Sequence, residues 1–186
     1  MEMIGSGTGP GDIDSLIDDL TCEDVIDCRR ARRAFVAMGR DAVPHLVRVL
    51  RDYEGWRRWE AVKALGQVHS PESTEALVEA LADRDFDIRY LAAKGLIHHG
   101  NSALIPLMDG LISHSKSSSF RDGARHVLSD FSHSGSRKLL SPLIDAFKGP
   151  APALEVPLEA QKVLDKLMEK QSSVHRSGKT AKHIGH

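Results

Sequence analysis

Small and apolar residues recur at steps of three and four along residues 83–97. The stripe consists of Ile88, Leu91, Ala92, Gly95 and Leu96, and a run of aspartates precedes it. This spacing predicts a helix with one buried face, and the aspartates suit a turn and a helix N-cap. Small residues on the stripe predict a closely packed neighbouring helix.

Related patterns, separated by glycine, proline and serine breaks, predict a chain of helices along the rest of the sequence. The predicted helices cover 12–20, a basic stretch ending at Met38, 41–50, 56–68, 75–81, 83–97, 103–112, 120–131, 136–147 and 157–170. The glycine-rich residues 1–11 are expected to be flexible. The polar tail 171–186 has no pattern and is expected to be disordered.

The predicted helices form an internal repeat of helix pairs. Aligning the second helix of each pair places one alanine of each unit in register, with steps of 27, 31, 32 and 36 residues. These alanines are Ala34, Ala61, Ala92, Ala124 and Ala160. A period near ~30 residues with two helices per unit is typical of a stacked α-solenoid. The predicted units are 12–39, 41–69, 72–100, 102–133 and 136–170.

One unit carries the fullest form of a known repeat motif. Asp83, followed by Ile88-Arg89 and then Ala92 and Leu96, resembles the HEAT repeat and is most similar to the short repeats of the phycobilisome-lyase type. The resemblance covers residues 12–170 and implies an all-α, right-handed α-α superhelix that binds partners through its concave face. Three motif positions depart from the pattern and hold Ala31, Lys116 and Pro157.

Composition agrees with a helical protein of ordinary charge. The chain has 186 residues, a net charge of −1, 41% hydrophobic and 27% charged residues, and only 5% aromatics. So few aromatics disfavour a β-sandwich or barrel, in which they are enriched. The balanced charge disfavours a dedicated nucleic-acid protein, which is usually basic.

The resemblance implies some enzymes as relatives, and each has characteristic site residues. HEAT-like hydroxylases use His-Glu dipeptides to hold di-iron, and this sequence has none. It also lacks GxSxG, P-loop and GxGxxG motifs. The sequence therefore favours a non-enzymatic scaffold that binds a protein or peptide, with no cofactor. Two alternatives stay open: a bilin-lyase-like role with a tetrapyrrole, and nucleic-acid binding through Arg29–Arg33 and Trp56–Trp59.

The cysteines and histidines allow other chemistry. Cys22 and Cys28 are most simply two small apolar residues in a reducing cytosol, although a disulfide or metal pair is open. Without a signal peptide or a membrane-length apolar run, we expect a cytoplasmic protein. Stacking would bring His69, His98, His99 and His133 to one edge, where a metal site competes with a simple preference for helix C-termini.

The candidate partner-binding surface follows from the repeat register. Second helices line the concave face of such solenoids, and positions one and five residues after the motif arginine point away from the buried stripe. The candidates are Arg32, Trp59, Lys63, Tyr90, Lys94 and His126. Aromatics one turn from lysines suit an acidic or amphipathic segment, since exposed Trp and Tyr are typical of binding hot spots. Equally, Trp59 and Tyr90 could cover the seam between repeats.

Overall fold

The computed structural model describes residues 10–21, 24–131 and 136–180, with side chains from residue 13 to residue 172 within these ranges. These residues form helices and turns without a strand, which confirms the predicted all-α class. The helices are α1 (Pro10–Asp19), α2 (Val25–Met38), α3 (Val43–Asp52), α4 (Trp56–Leu65), α5 (Pro71–Ala80), α6 (Phe86–His99), α7 (Leu104–Ser113), α8 (Ser118–Phe131), α9 (Arg137–Ala146) and α10 (Pro152–Thr180).

The chain divides into two compact units, Met1–His99 and Gly100–His186. In the first unit each helix pairs with the next as α1–α2, α3–α4 and α5–α6, and alternate helices pack side by side as α2–α4–α6 and α3–α5. This is the stacking of helix pairs that the repeat predicts.

The core of the first unit is the predicted stripe. Ala61 and Leu65 on α4 and Ala92 and Leu96 on α6 are fully buried. Alanine and glycine at this seam let the two helices approach closely, while the leucines fill the space between repeats.

The first repeat has a different register from the predicted one. Ala31 and Phe35 are fully buried, whereas Ala37, which the alignment placed on the stripe, is exposed. Both α2 and α6 end at a glycine with φ of 61°, Gly39 and Gly100. The same number of residues separates these glycines as separates Ala31 from Ala92, so Ala31 is the true equivalent of Ala92. The predicted alignment failed because α2 has several alanines at helical spacing.

Helix α5 starts earlier than predicted, at Pro71 rather than Glu75. The Ser70 hydroxyl accepts a hydrogen bond from the Ser73 amide at 3.1 Å, and the Ser73 hydroxyl accepts one from the Ser70 amide at 3.2 Å. This reciprocal capping box, with proline in the first turn, begins the helix.

A buried arginine joins α4 to the turn before α6. Arg58 is only 5% exposed, and its guanidinium donates to the Asp83 carboxylate and, at 2.8 Å, to the Leu50 carbonyl. Asp83 also accepts from the Asp85 amide at 2.9 Å, and Asp85 accepts from the Asp87 amide at 2.9 Å. The repeat motif therefore ties one repeat to the next, while Asp85 caps α6.

In the second unit α7 and α9 each pack against both α8 and α10. Helix α10 begins at Pro152, not at Pro157, which lies inside it. Both Pro152 and Pro157 suit a first turn, and the predicted helix began at the later one. The helix also continues to Thr180, so the expectation of a disordered tail is wrong for residues 171–180.

Other expectations for the termini fall partly outside the described residues. Pro10 already belongs to α1, whereas residues 1–9 and 181–186 are not described. None of the described helices is both long and apolar enough to cross a membrane. The cytoplasmic location stays a prediction.

Cys28 is buried and disulfide-bonded, so the expectation of a reduced apolar filler is wrong for this residue. The chain has one other cysteine, Cys22, which lies outside the described residues. Disulfides are rare in reducing compartments, so cysteine usage no longer supports a reducing cytosol.

Candidate functional site

Two matching stripes of side chains run along α4 and α6. Each stripe has members at the first position, three residues later and seven residues later, which lie on one side of a helix. On α4 they are Trp56, Trp59 and Lys63, and on α6 they are Asp87, Tyr90 and Lys94. Because α4 packs against α6, the six residues form one surface, called here the α4–α6 face.

A lysine ammonium lies over the ring of each predicted aromatic residue on this face. Lys63 Nζ lies 5.1 Å from the ring centroid of Trp59, and Lys94 Nζ lies 5.8 Å from that of Tyr90. Tyr90 remains 47% exposed, while Trp59 is half-buried. The residues that the sequence analysis selected on these helices are thus brought together as cation–π pairs.

A buried carboxylate, which the sequence analysis missed, organises the charges beside this face. The Glu60 side chain is 4% exposed and accepts from Lys63 at 2.7 Å and from Arg32 on α2. Arg32 therefore points at α4. In the corrected register Arg29 and Arg33, both exposed, hold the positions equivalent to Tyr90 and Lys94. The burial pattern of α2 and the matching positions of Gly39 and Gly100 reveal this shift.

A pocket of about 220 Å³ lies at the N-terminal end of the α4–α6 face. Its lining consists of Gly55, Trp56, Trp59, Asp85 and Asp87. Of these five, the predicted partner-binding set included only Trp59, while Trp56 was considered only for nucleic acid. The signal was present, since Trp56 and Asp87 each stand three residues before a predicted aromatic.

The remaining predicted residue, His126, lies exposed on α8 in the second unit. Its role in binding stays a prediction.

The basic stretches considered for nucleic acid are largely paired with acidic residues. Arg30 contacts Asp27 at 3.0 Å and Asp19 at 3.3 Å. Arg57 contacts Asp18 at 3.1 Å, while Arg58 is buried against Asp83. A groove for phosphates needs cations free to face the backbone, so these contacts weaken the nucleic-acid alternative.

Three of the four histidines expected at one edge do meet. The His69 ring centroid lies 4.9 Å from that of His98 and 4.8 Å from that of His99. His99 is buried, with its Nδ1 2.9 Å from the Thr74 hydroxyl. Burial, and then the neighbouring His69, lowers the pKa of His99 below its ordinary value. His133 lies outside the described residues.

The ring centroids of these histidines are closer together than the ~8–10 Å that separates the axes of packed helices. Nevertheless, within the described side chains no group of three or more His, Cys, Asp or Glu has the geometry to hold a metal ion.

Comparison with known proteins identifies the repeat. Residues 13–89 match the family model for HEAT repeats, in agreement with the stacked helix pairs of the first unit. No curated protein matches the chain. The match is to HEAT repeats in general, so the phycobilisome-lyase type and tetrapyrrole binding stay predictions.

Proposed function

We propose that this HEAT-repeat protein is a non-enzymatic scaffold that binds a segment of a partner protein along the α4–α6 face. HEAT repeats commonly serve as interaction surfaces, and the second helices of each pair supply the concave side of such repeats. The proposal places the partner segment across two adjacent repeats.

The observation that carries this proposal is the pair of aromatic residues at equivalent positions. Trp59 and Tyr90 each lie beneath a lysine on helices that pack together, and Tyr90 is 47% exposed. A large aromatic surface with a cation above it combines apolar contact area with a polar group for orientation, as interface hot spots do. Core packing alone does not require the lysines.

A capture experiment tests the proposal. The wild type and a Trp59→Ala/Tyr90→Ala variant are immobilised and exposed to an extract of the source cells, and retained proteins are compared. The variant should lose at least one partner that the wild type retains. A matched control is Leu154→Ala/Leu158→Ala, which removes exposed apolar side chains from α10.

Circular dichroism and thermal unfolding must show that each variant keeps its fold. Equal retention of partners by the wild type and a folded Trp59→Ala/Tyr90→Ala variant would refute the proposal. Loss of the same partners in the α10 control would also refute it.

A further inference from the structure

The pocket at the N-terminal end of the α4–α6 face has two aromatic walls at right angles. The rings of Trp56 and Trp59 are 5.0 Å apart at an interplanar angle of 85°. Trp56 is 58% exposed, an unusual state for so large an apolar side chain. The electron-rich face of an indole attracts cations more strongly than any other aromatic side chain does.

The opposite side of the pocket is acidic. Asp85 and Asp87 line it, and neither carboxylate forms an ion pair with any described residue. Asp85 is held in place because its Oδ1 caps the Asp87 amide. The nearest arginine in sequence, Arg84, is paired with Glu54. Both charged residues in the lining are therefore negative. Lys63 lies over the Trp59 ring but is not part of the lining, and its ammonium is paired with Glu60 at 2.7 Å.

The residues that line the pocket favour a ligand with a positive charge. The N-terminus of α4 alone would favour an anion, through its free amides and the helix dipole. Two carboxylates on the facing helix oppose an anion and attract a cation. The tryptophan walls favour an organic cation with little bound water, because a compact ammonium ion would lose strong hydration on entry.

We propose that this pocket binds the side chain of a methylated lysine in the partner segment. The methyl groups would contact Trp56 and Trp59, and the positive charge would face Asp85 and Asp87. The identity of the bound segment rests on the proposed function, but the pocket's preference for a methylated ammonium does not. The rest of the face, with Tyr90 and Lys94, continues away from the pocket and would contact the neighbouring residues of the segment.

The chain is well suited to a direct test, because its two tryptophans both line this pocket. Fluorescence excited selectively in tryptophan, and the indole N–H signals in NMR, therefore report on the pocket without a contribution from the two tyrosines. The probes are N-acetyl-trimethyllysine amide, the lysine and arginine counterparts, choline, and the neutral carbon isostere of trimethyllysine.

Trimethyllysine amide should give a saturable change at millimolar concentration, and the neutral isostere should bind at least ~10-fold more weakly. Asp87→Asn should weaken trimethyllysine binding ~3- to 10-fold by removing one unpaired carboxylate. The matched control Asp109→Asn, an exposed aspartate on α7, should leave it unchanged. Trp56→Phe keeps an aromatic wall and should weaken binding less than Trp56→Ala.

Several results would overturn the inference. They are equal binding of the neutral isostere, tighter binding of lysine or arginine amide, tighter binding of choline, and no saturable change up to about 50 mM probe. The assay requires no partner protein, so its failure is distinct from failure of the capture experiment. A pocket that binds trimethyllysine in a protein that captures no partner would contradict only the proposed scaffold role.

Discussion

Gly66 and Gly95 face each other so closely that a Cβ on Gly95 would lie 3.0 Å from the α-carbon of Gly66. The same Cβ would lie 3.0 and 3.1 Å from the two terminal methyl carbons of Leu77. The α4–α6 seam, on which the proposed binding face rests, therefore depends on the absence of a side chain at both positions.

Gly95→Ala should destabilise the protein by about 1–2 kcal/mol, because overpacking outweighs the better helix propensity of alanine. Leu77→Val in the same chain should recover only part of this loss, since the Gly66 backbone cannot move aside as a side chain can. Urea unfolding measures both variants. Lys94→Ala, at the exposed neighbouring position, should change stability by less than about 0.5 kcal/mol. Equal stability of Gly95→Ala and wild type would contradict the close contact.

Asp83→Asn should cost about 2–3 kcal/mol, because it leaves the buried Arg58 charge without its carboxylate. Asparagine can still accept a hydrogen bond from the Asp85 amide. The variant therefore removes the ion pair but keeps the hydrogen bond of the turn. The exposed pair of Arg84 and Glu54 provides the control, and Glu54→Gln should have no measurable effect. Urea unfolding at low and high salt compares the two, and a similar response to both substitutions would count against a buried bridge between repeats.

Stability should fall as pH falls below about 6.5, because His99 has a lowered pKa in the folded state. Above that pH both states hold the neutral ring and His99 contributes nothing to the pH dependence. Below it, the unfolded chain binds a proton that the folded protein resists until the lower folded pKa is reached. The free energy of unfolding, measured with urea from about pH 7.5 to about pH 5, should therefore depend less steeply on pH in His99→Gln than in the wild type.

His69→Gln should reduce that slope only in part, since burial contributes more than the neighbouring histidine to the lowered pKa. An identical pH slope in the wild type and His99→Gln would contradict the prediction.

Leu96→Ala should cost about 2–5 kcal/mol, because Leu96 is fully buried between repeats. Leu154→Ala removes the same atoms from a side chain that is 70% exposed and should change stability by less than about 0.5 kcal/mol. Chemical unfolding distinguishes them. Comparable losses in both would show that Leu96 does not fill a packed core.

The fold was predictable where periodicity, caps and repeat spacing agreed. Ala92, Gly95 and Leu96 combine small and large apolar side chains at helical spacing, a pattern typical of a packed helix seam. All three are buried. The register of α2 was predicted wrongly, because its alanines fit more than one alignment. The equal spacing of Gly39 and Gly100 supports the correct one, and the burial of Ala31 agrees with it. The Cys28 disulfide was left as an alternative to two apolar residues, since a six-residue spacing between cysteines has no characteristic meaning.

The candidate site was found only in part for a related reason. Trp59 and Tyr90 stood out because they recur at equivalent positions beside lysines. Glu60, in contrast, looks like an ordinary surface acid in a charged helix, and its burial depends on Arg32 from another helix. Asp85 and Asp87 looked like capping residues, and the sequence did not show that they also face two tryptophans.

The double role of Asp85 constrains how this surface could evolve. Its carboxylate caps α6 and lines the pocket, so exchanging it to change ligand preference would also weaken the start of the helix. Asp87 lines the same pocket, and no described side chain depends on its carboxylate. In related sequences we therefore expect position 85 to be restricted to good capping residues, whereas position 87 is free to drift and to change the ligand that the pocket accepts.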